Sequence, residues 1–382
     1  MTVNGLGLVV HGGRAEAVDA ACAVRAWAAE HDVRCTDIDV WHDGGRHHSG
    51  EEVAAAGDPD LIVTLGGDGT FLRGARLAAR NEALVLGVDL GRVGFLTEVP
   101  VCSVREALDA IREDRYTVDN RLLLTMRASR RLEVPADMGQ LMQYGRGPML
   151  PPPQVRTDCE QDPDWGVPLH VTAVNDVVLE KLSRDRQVSV GVYISGRLLA
   201  SYSADALLVA TPTGSTAYSF AAGGPVVSPC AEALVFTPVA PHMAFDRSVV
   251  TAPDEAVGLR VLERSGPAAV SVDGQVRGVV EPGDWIGVYA APSRLRVVRL
   301  AAMDFYGRLR ERMNLTDAPA AVADGTPPPL WSLTAPPPAD LDHISFPLLA
   351  EQRGQAEEAC ADGEDGLHTE APARAAGREP EQ

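Results

Sequence analysis

The run Leu65-Gly66-Gly67-Asp68-Gly69-Thr70 sets one carboxylate among three glycines. An apolar stretch at 61–65 reads as a buried strand before it, and 70–79 reads as a helix after it. Glycines at such a turn let the backbone approach a ligand, and the N–H groups of the helix start favour phosphate. Asp68 is itself an anion and would repel phosphate unless it had a separate task. Two tasks fit: a general base for a hydroxyl nucleophile, or an outer carboxylate for Mg²⁺. The plain alternative is a helix N-cap, for which aspartate is well suited. A dinucleotide fingerprint is excluded, because Thr70, Phe71 and Leu72 follow Gly69 with no third glycine in place.

A second loop, 211–219, offers hydroxyls from Thr211, Thr213, Ser215, Thr216 and Ser219 together with the Tyr218 phenol. A solvated cap needs one hydroxyl, so this density points to a polar ligand. Ser271-Val272-Asp273-Gly274-Gln275 reads by itself as a hairpin turn.

The elements that must position these loops fall into two patterns. Up to residue 121, apolar runs (6–10, 36–41, 61–65, 84–88) alternate with helical stretches (15–30, 70–79, 104–113), which is the α/β pattern. From 122 to 314 the runs become short and strand-like, as at 188–194, 206–210, 259–262, 268–272 and 295–300. The expected fold is an α/β N-terminal domain of Rossmann-like or flavodoxin-like type, then a β-rich, β-sandwich C-terminal domain. Residues 301–314 are expected to return to the first domain. The proline-dotted stretch 131–168 reads as a surface insertion. Residues 315–382 read as a disordered acidic tail, with 13 Asp/Glu against 3 Arg.

Composition removes several classes of function. Of the net charge of -19, the tail holds -10, and no basic stripe invites nucleic acid. No apolar run nears the roughly 18 to 20 residues that span a bilayer. The N-terminus lacks the basic region of a signal peptide. The cysteines form no CxxC pair and no cluster has metal-ligand spacing, so neither a resident metal nor a disulfide framework is expected. A cytoplasmic location follows as the expectation. Lys181 is the only lysine and stands outside any Walker A or protein-kinase motif, which excludes both.

With these pieces in order, the chain resembles the NAD kinase family from about Val9 to Met313. The motifs are Gly66-Gly67-Asp68-Gly69-Thr70, the loop 87–96, Asn175-Asp176, the loop 211–219 and Asp273-Gly274-Gln275. The resemblance implies ATP-dependent phosphorylation of the adenosine 2′-hydroxyl of NAD, with Mg²⁺ accompanying ATP. It implies Asp68 as the base, with Gly67, Gly69 and Thr70 around the nucleotide and Arg73 on phosphate. Asn175 and Asp176 match the pair that holds the nucleotide substrate, and Arg186 and Asp205 match further dinucleotide contacts. Thr216, Ala217, Tyr218 and Ser219 match the loop around the adenosine, and Gln275 a contact from the second domain. It also implies a homo-oligomer, dimer or tetramer. The sequence leaves open NAD or NADH as acceptor and ATP or polyphosphate as donor.

Three positions depart from the family pattern. Asp89 stands where Asn is usual, and is expected to add negative charge near the nucleotide. Ala204-Asp205-Ala206 replaces Gly-Asp-Gly, so its backbone should be less free to take φ > 0. Asp176 stands where Glu is frequent. Two rivals remain at this point: a lipid or sphingoid-base kinase sharing the glycine-aspartate loop, and a dinucleotide sensor without catalysis.

Overall fold

The computed structural model describes residues 3–38, 57–91, 94–135, 151–157, 162–183, 185–300 and 305–316. The expected tail lies outside these apart from 315 and 316. Met1–Arg308 form one compact unit. In the second, Leu309–Gln382, the described residues end the helix Phe305–Arg312, where the Leu315 N–H bonds Arg310 O at 3.0 Å. Among the described residues no helix is long and apolar enough to cross a membrane.

The first half of the compact unit is a doubly wound α/β layer. Strands β1 (Gly5–Val10), β2 (Arg34–Asp37), β3 (Leu61–Leu65) and β4 (Leu84–Asp89) pair in parallel in the order β4-β3-β1-β2. Both faces of β3 and β4 are buried, as their unbroken apolar runs require. Helix α1 (Ala15–Glu30) covers one face with α3 (Val104–Arg112), and α2 (Asp68–Arg80) covers the other. Strand order reverses at β1, between β2 and β3, so the carboxyl end of β3 opens on the crevice where such sheets take ligands.

The rest of the unit is a β-sandwich. Its outer sheet runs β13 (Val249–Thr251), β12 (Leu234–Val239), β11 (Ala206–Ala210), β8 (Asp176–Lys181), β15 (Ala268–Val272), β16 (Gln275–Val280), with antiparallel pairs throughout. The facing layer is not a separate sheet. It holds β6 (Thr117–Ala128), β7 (Val167–Ala173), β9 (Val188–Ile194), β10 (Arg197–Ala204) and β14 (Val257–Val261). Strand β17 (Trp285–Arg299) continues it into the parallel sheet. One part of β17 pairs with β14, another pairs in parallel with β4, and β6 follows it on either side of a register shift between Ala290 and Arg294. Alternating side chains such as Val177, Leu179, Leu207, Val209, Val270 and Val288 fill the space between the layers.

Several expectations change in detail. The second strand ends at Asp37 and begins at Arg34, two residues before the expected start; residues 39–41 lie outside the described set. Helix α2 starts at Asp68 rather than 70. Its first-turn N–H groups have no helical partner in any case, so Gly69 costs little there. The run 295–300 is the end of a strand that begins ten residues earlier, at Trp285, and stops at Arg299, because the register shift accommodates Pro292. The described parts of 131–168 are sewn into the sandwich. Leu132 is fully buried, Glu133 bridges Val279, and Val155 bridges Leu169. Expected boundary 121/122 falls inside β6.

Candidate active site

Gly67, in extended conformation, is the N-cap of α2 and makes no side-chain cap bond. Asp68 follows as the first helical residue, yet its carboxylate does not cap its own helix. Oδ2 accepts the Phe95 N–H and Oδ1 the Leu96 N–H, both at 3.2 Å, from the loop after β4. That loop must pass close, and Gly94 is what permits it: a Cβ there would stand 1.9 Å from Asp68 Oδ1. Asp68 is half-buried. At Gly67 and Gly69 a Cβ would meet nothing within 4 Å, so the space beside Asp68 is open.

The other residues of this loop divide between space and scaffold. Thr70 is buried with its hydroxyl against Gly66, where a Cβ would come within 2.2 Å of it. Arg73 is also buried, one turn on. Asp89, expected to put charge near the nucleotide, is buried beneath the second loop. It accepts the Gly91 N–H at 2.6 Å and the Thr97 hydroxyl at 3.1 Å, and Thr97 Oγ1 accepts the Gly94 N–H at 2.7 Å. Its charge therefore fixes the loop that aims Asp68.

The second half of the site is a cavity of about 410 Å³ on the outer face of the six-stranded sheet. Of the residues singled out in the sequence, Asn175, Asp176, Ala217 and Tyr218 line it. Glu180, Ser271, Asp273 and Gly274 line it too; sequence reasoning read 271–275 as a hairpin turn carrying a family motif, and gave none of these four a ligand contact. Asp273 and Gly274 have φ of +47° and +73°, a two-residue hairpin turn with both central residues left-handed. The Asp-Gly pair gave the turn away, but not what its carboxylate does. Asp273 accepts N–H groups from Val174 (3.1 Å), Asn175 (2.7 Å) and Asp176 (3.3 Å), freezing the loop between β7 and β8. Gly214 then packs on that loop so closely that a Cβ would meet Asn175 O at 2.0 Å.

Burial dominates the electrostatics. It raises the Asp176 carboxyl to about 7, helped by the neighbouring charge of Asp273. Asp273 is itself pushed up by burial, against the pull of Arg76 and of its backbone donors. The Tyr218 phenol is raised by burial and by the charges of Glu180, Asp176 and Asp205. Ser271 donates to Glu180 at 2.7 Å.

The hydroxyls of 211–219 are mostly spent within the protein. Thr211 bonds Val174 O at 2.6 Å, Ser215 bonds Pro212 O at 2.7 Å, Thr216 bonds Thr213 O at 3.3 Å, and buried Ser219 pairs with Thr237 at 3.0 Å. Asp205 is held by Lys181 at 2.6 Å. None of 204–206 has a positive φ, so the alanines there cost nothing. Arg186 is exposed on the connection from β8 to β9 and does not line the cavity. Gln275 ties the two halves: about two turns after Asp68, Arg76 Nη1 donates to Gln275 Oε1 at 2.8 Å.

Comparison with known proteins agrees with this arrangement. Residues 6–116 match the ATP-NAD kinase N-terminal domain, and 174–300 the ATP-NAD kinase C-terminal domain. The chain is 76% identical over 347 residues to NAD kinase 1 of Streptomyces avermitilis, covering 91% of this chain and 97% of that one. It is 39% identical over 254 residues to an NAD kinase of Heliobacterium modesticaldum, covering 66% and 78%. The fold is similar to yeast NADH kinase complexed with NADH (TM-score 0.64, 20% identity, 83% and 89% covered). It is also similar to an NAD kinase from Archaeoglobus fulgidus in complex with ATP (TM-score 0.54, 19% identity, 80% and 97% covered). The half-buried aspartate at the end of β3, the cavity on the second sheet and these matches together make the chain a member of the NAD kinase family.

Proposed function

We infer that the chain transfers the γ-phosphoryl group of ATP to the adenosine 2′-hydroxyl of NAD, giving NADP and ADP. The observation that carries this is Asp68: a carboxylate aimed by two backbone N–H groups, beside glycines that leave open space. A ribose hydroxyl is a weak nucleophile, and phosphoryl transfer depends mostly on alignment and charge neutralisation. Asp68 accepts the hydroxyl proton as the oxygen bonds to the γ-phosphorus, and the bond to the β-phosphate bridging oxygen breaks. Helix α2 presents its N-terminal N–H groups to the phosphates, as a helix start does for anions. Asn175, Asp176 and Tyr218 line the space for the dinucleotide.

Mg²⁺ belongs to this reading as an ion carried by ATP, where it offsets phosphate charge. Mg²⁺ commonly binds through substrate phosphates and water with one or two carboxylates. Asp68 is the carboxylate that would face it. A homo-oligomer, polyphosphate as an alternative donor, and a cytoplasmic location are further parts of the reading that rest on the family resemblance and on composition.

The test is NADP formation from NAD and Mg-ATP, run beside Asp68→Asn with folding checked by circular dichroism. Wild type turns over, and the variant loses about 100-fold or more in kcat, the scale of general base catalysis. NAD binding without turnover would make the chain a sensor. Turnover of a sphingoid base in place of NAD would overturn the reading altogether.

A further inference from the structure

The loop that aims Asp68 is gripped from two sides. Asp89 and Thr97 hold it from within. From without comes the first turn of helix α4 (Phe305–Arg312). Phe305 packs on Phe95 with ring centroids 6.2 Å apart. Arg308 donates Nη1 to Thr97 O at 2.8 Å and to Gly94 O at 3.3 Å, and its Nη2 pairs with Glu98 at 3.0 Å. These carbonyls flank the Phe95 and Leu96 N–H groups, so fixing them fixes the direction in which those N–H groups point.

Glu98 does not serve Arg308 alone. The same Oε2 accepts Arg299 at 2.8 Å; Arg299 reaches Asp119 at 3.4 Å, and Asp119 also binds Arg121, whose Nη1 lies 3.4 Å from Thr213 Oγ1. The side chains of Arg121, Arg299 and Glu98 are no more than 7% exposed. A chain of three guanidinium groups and two carboxylates thus runs from the loop of Asp68 to the loop 211–219. Buried ion pairs are weak contributors to stability, because desolvation offsets their attraction; fixing a register is their best-attested use. Here both ends of the chain are loops of the reaction site.

We propose that Arg308 is a positioning residue for phosphoryl transfer, and that the chain Glu98–Arg299–Asp119–Arg121 sets the loop aiming Asp68 and the loop 211–219 in one frame. This rests on Asp68 being the base. Arg308 touches neither substrate and acts through the Phe95 and Leu96 amides. A brace of stability alone would lower the melting temperature and leave kcat of the folded enzyme unchanged; a positioning residue lowers kcat with the substrates still bound.

The experiment uses the full chain with NAD and Mg-ATP, comparing wild type with Arg308→Met, Arg308→Lys and Glu98→Gln, and following amide exchange at Phe95 and Leu96. Arg308→Met is expected to lose about 100-fold in kcat, as misplacement by about 1 Å can, with both KM values within about threefold. Arg308→Lys keeps the charge but not the fork, and recovers kcat to within about tenfold of wild type. In Arg308→Met and Glu98→Gln the two amides exchange faster while those of β3 and β4 stay protected. Wild-type kcat in Arg308→Met, or a loss of kcat with unchanged exchange at 95 and 96, overturns the proposal. Should Arg308→Met fail to fold, Glu98→Gln decides, since wild-type kcat and exchange there overturn it equally. If Asp68→Asn turns over like wild type, the base assignment fails, whereas the exchange at 95 and 96 still reports whether Arg308 holds the loop.

Discussion

Asp68 and Asp273 are built alike and used differently. Each carboxylate accepts backbone N–H groups from a loop on another element: two from 95–96 at Asp68, three from 174–176 at Asp273. Asp273 lines the cavity, and three backbone donors occupy its two oxygens with the loop they organise. Asp68 has two such donors and stands between glycines beside which space is open, and both residues are half-buried. At one end of the site the loop exists to aim a carboxylate. At the other the carboxylate exists to shape a loop. The same kind of hydrogen bond therefore fixes a carboxylate beside open space in one place and a cavity wall in the other.

Variants at the two ends should split accordingly. Gly94→Ala pushes a methyl group into the Asp68 carboxylate and should cost about 100-fold in kcat, by displacing the base about 1 Å, while KM for NAD changes little. Steady-state kinetics decide it, and a loss confined to KM would break the contrast. Asp273→Asn keeps the left-handed turn, which asparagine tolerates, but turns an amide NH₂ towards donors that need an acceptor. It should lower stability by about 1–3 kcal/mol and raise KM for NAD, with kcat at saturation near wild type. Denaturant unfolding and kinetics together check this.

The smallest effect concerns Asp176 and depends on pH. Its folded value of about 7 lies above its ordinary 3.8. The stability linked to its proton is therefore complete below the ordinary value and is lost as pH rises through about 7. Relative to wild type, Asp176→Asn should gain about 1 kcal/mol or more in stability between pH 5 and pH 8, as the folded wild-type carboxyl loses its proton, less than the full shift would give. Thermal melts across that range test the sign. A variant less stable at pH 8 than at pH 5, relative to wild type, would refute it.

The sequence was legible where one rule acted alone. The continuous apolar runs of β3 and β4, the helical period of α1 and the strand 188–194 lie where pattern placed them. Pattern failed where two rules competed. Glycine in 66–69 signalled a turn, and the helix starts inside that turn. The strand read at 295–300 begins ten residues earlier, because a register shift carries β17 past Pro292. In the site, Asp68 could be read from residue type and neighbours, and the cavity pair Asn175-Asp176 only through the family resemblance. Asp273, Gly94 and Arg308 could not, because each acts on residues at least 26 positions away. Thr70 and Ser219 show the converse, since a hydroxyl in a polar motif gives no sign of whether it faces ligand or core.

Strand β17 has a mechanical consequence. Because one strand is at once the last rung of the parallel sheet and the spine of the sandwich, the two halves are not beads on a string. Swinging one against the other would shear backbone ladders along β6 and β17, which resist far more than a linker does. The single crease in that beam is the interruption between Ala290 and Arg294, so breathing of the crevice must bend there or be confined to the loops that overhang it.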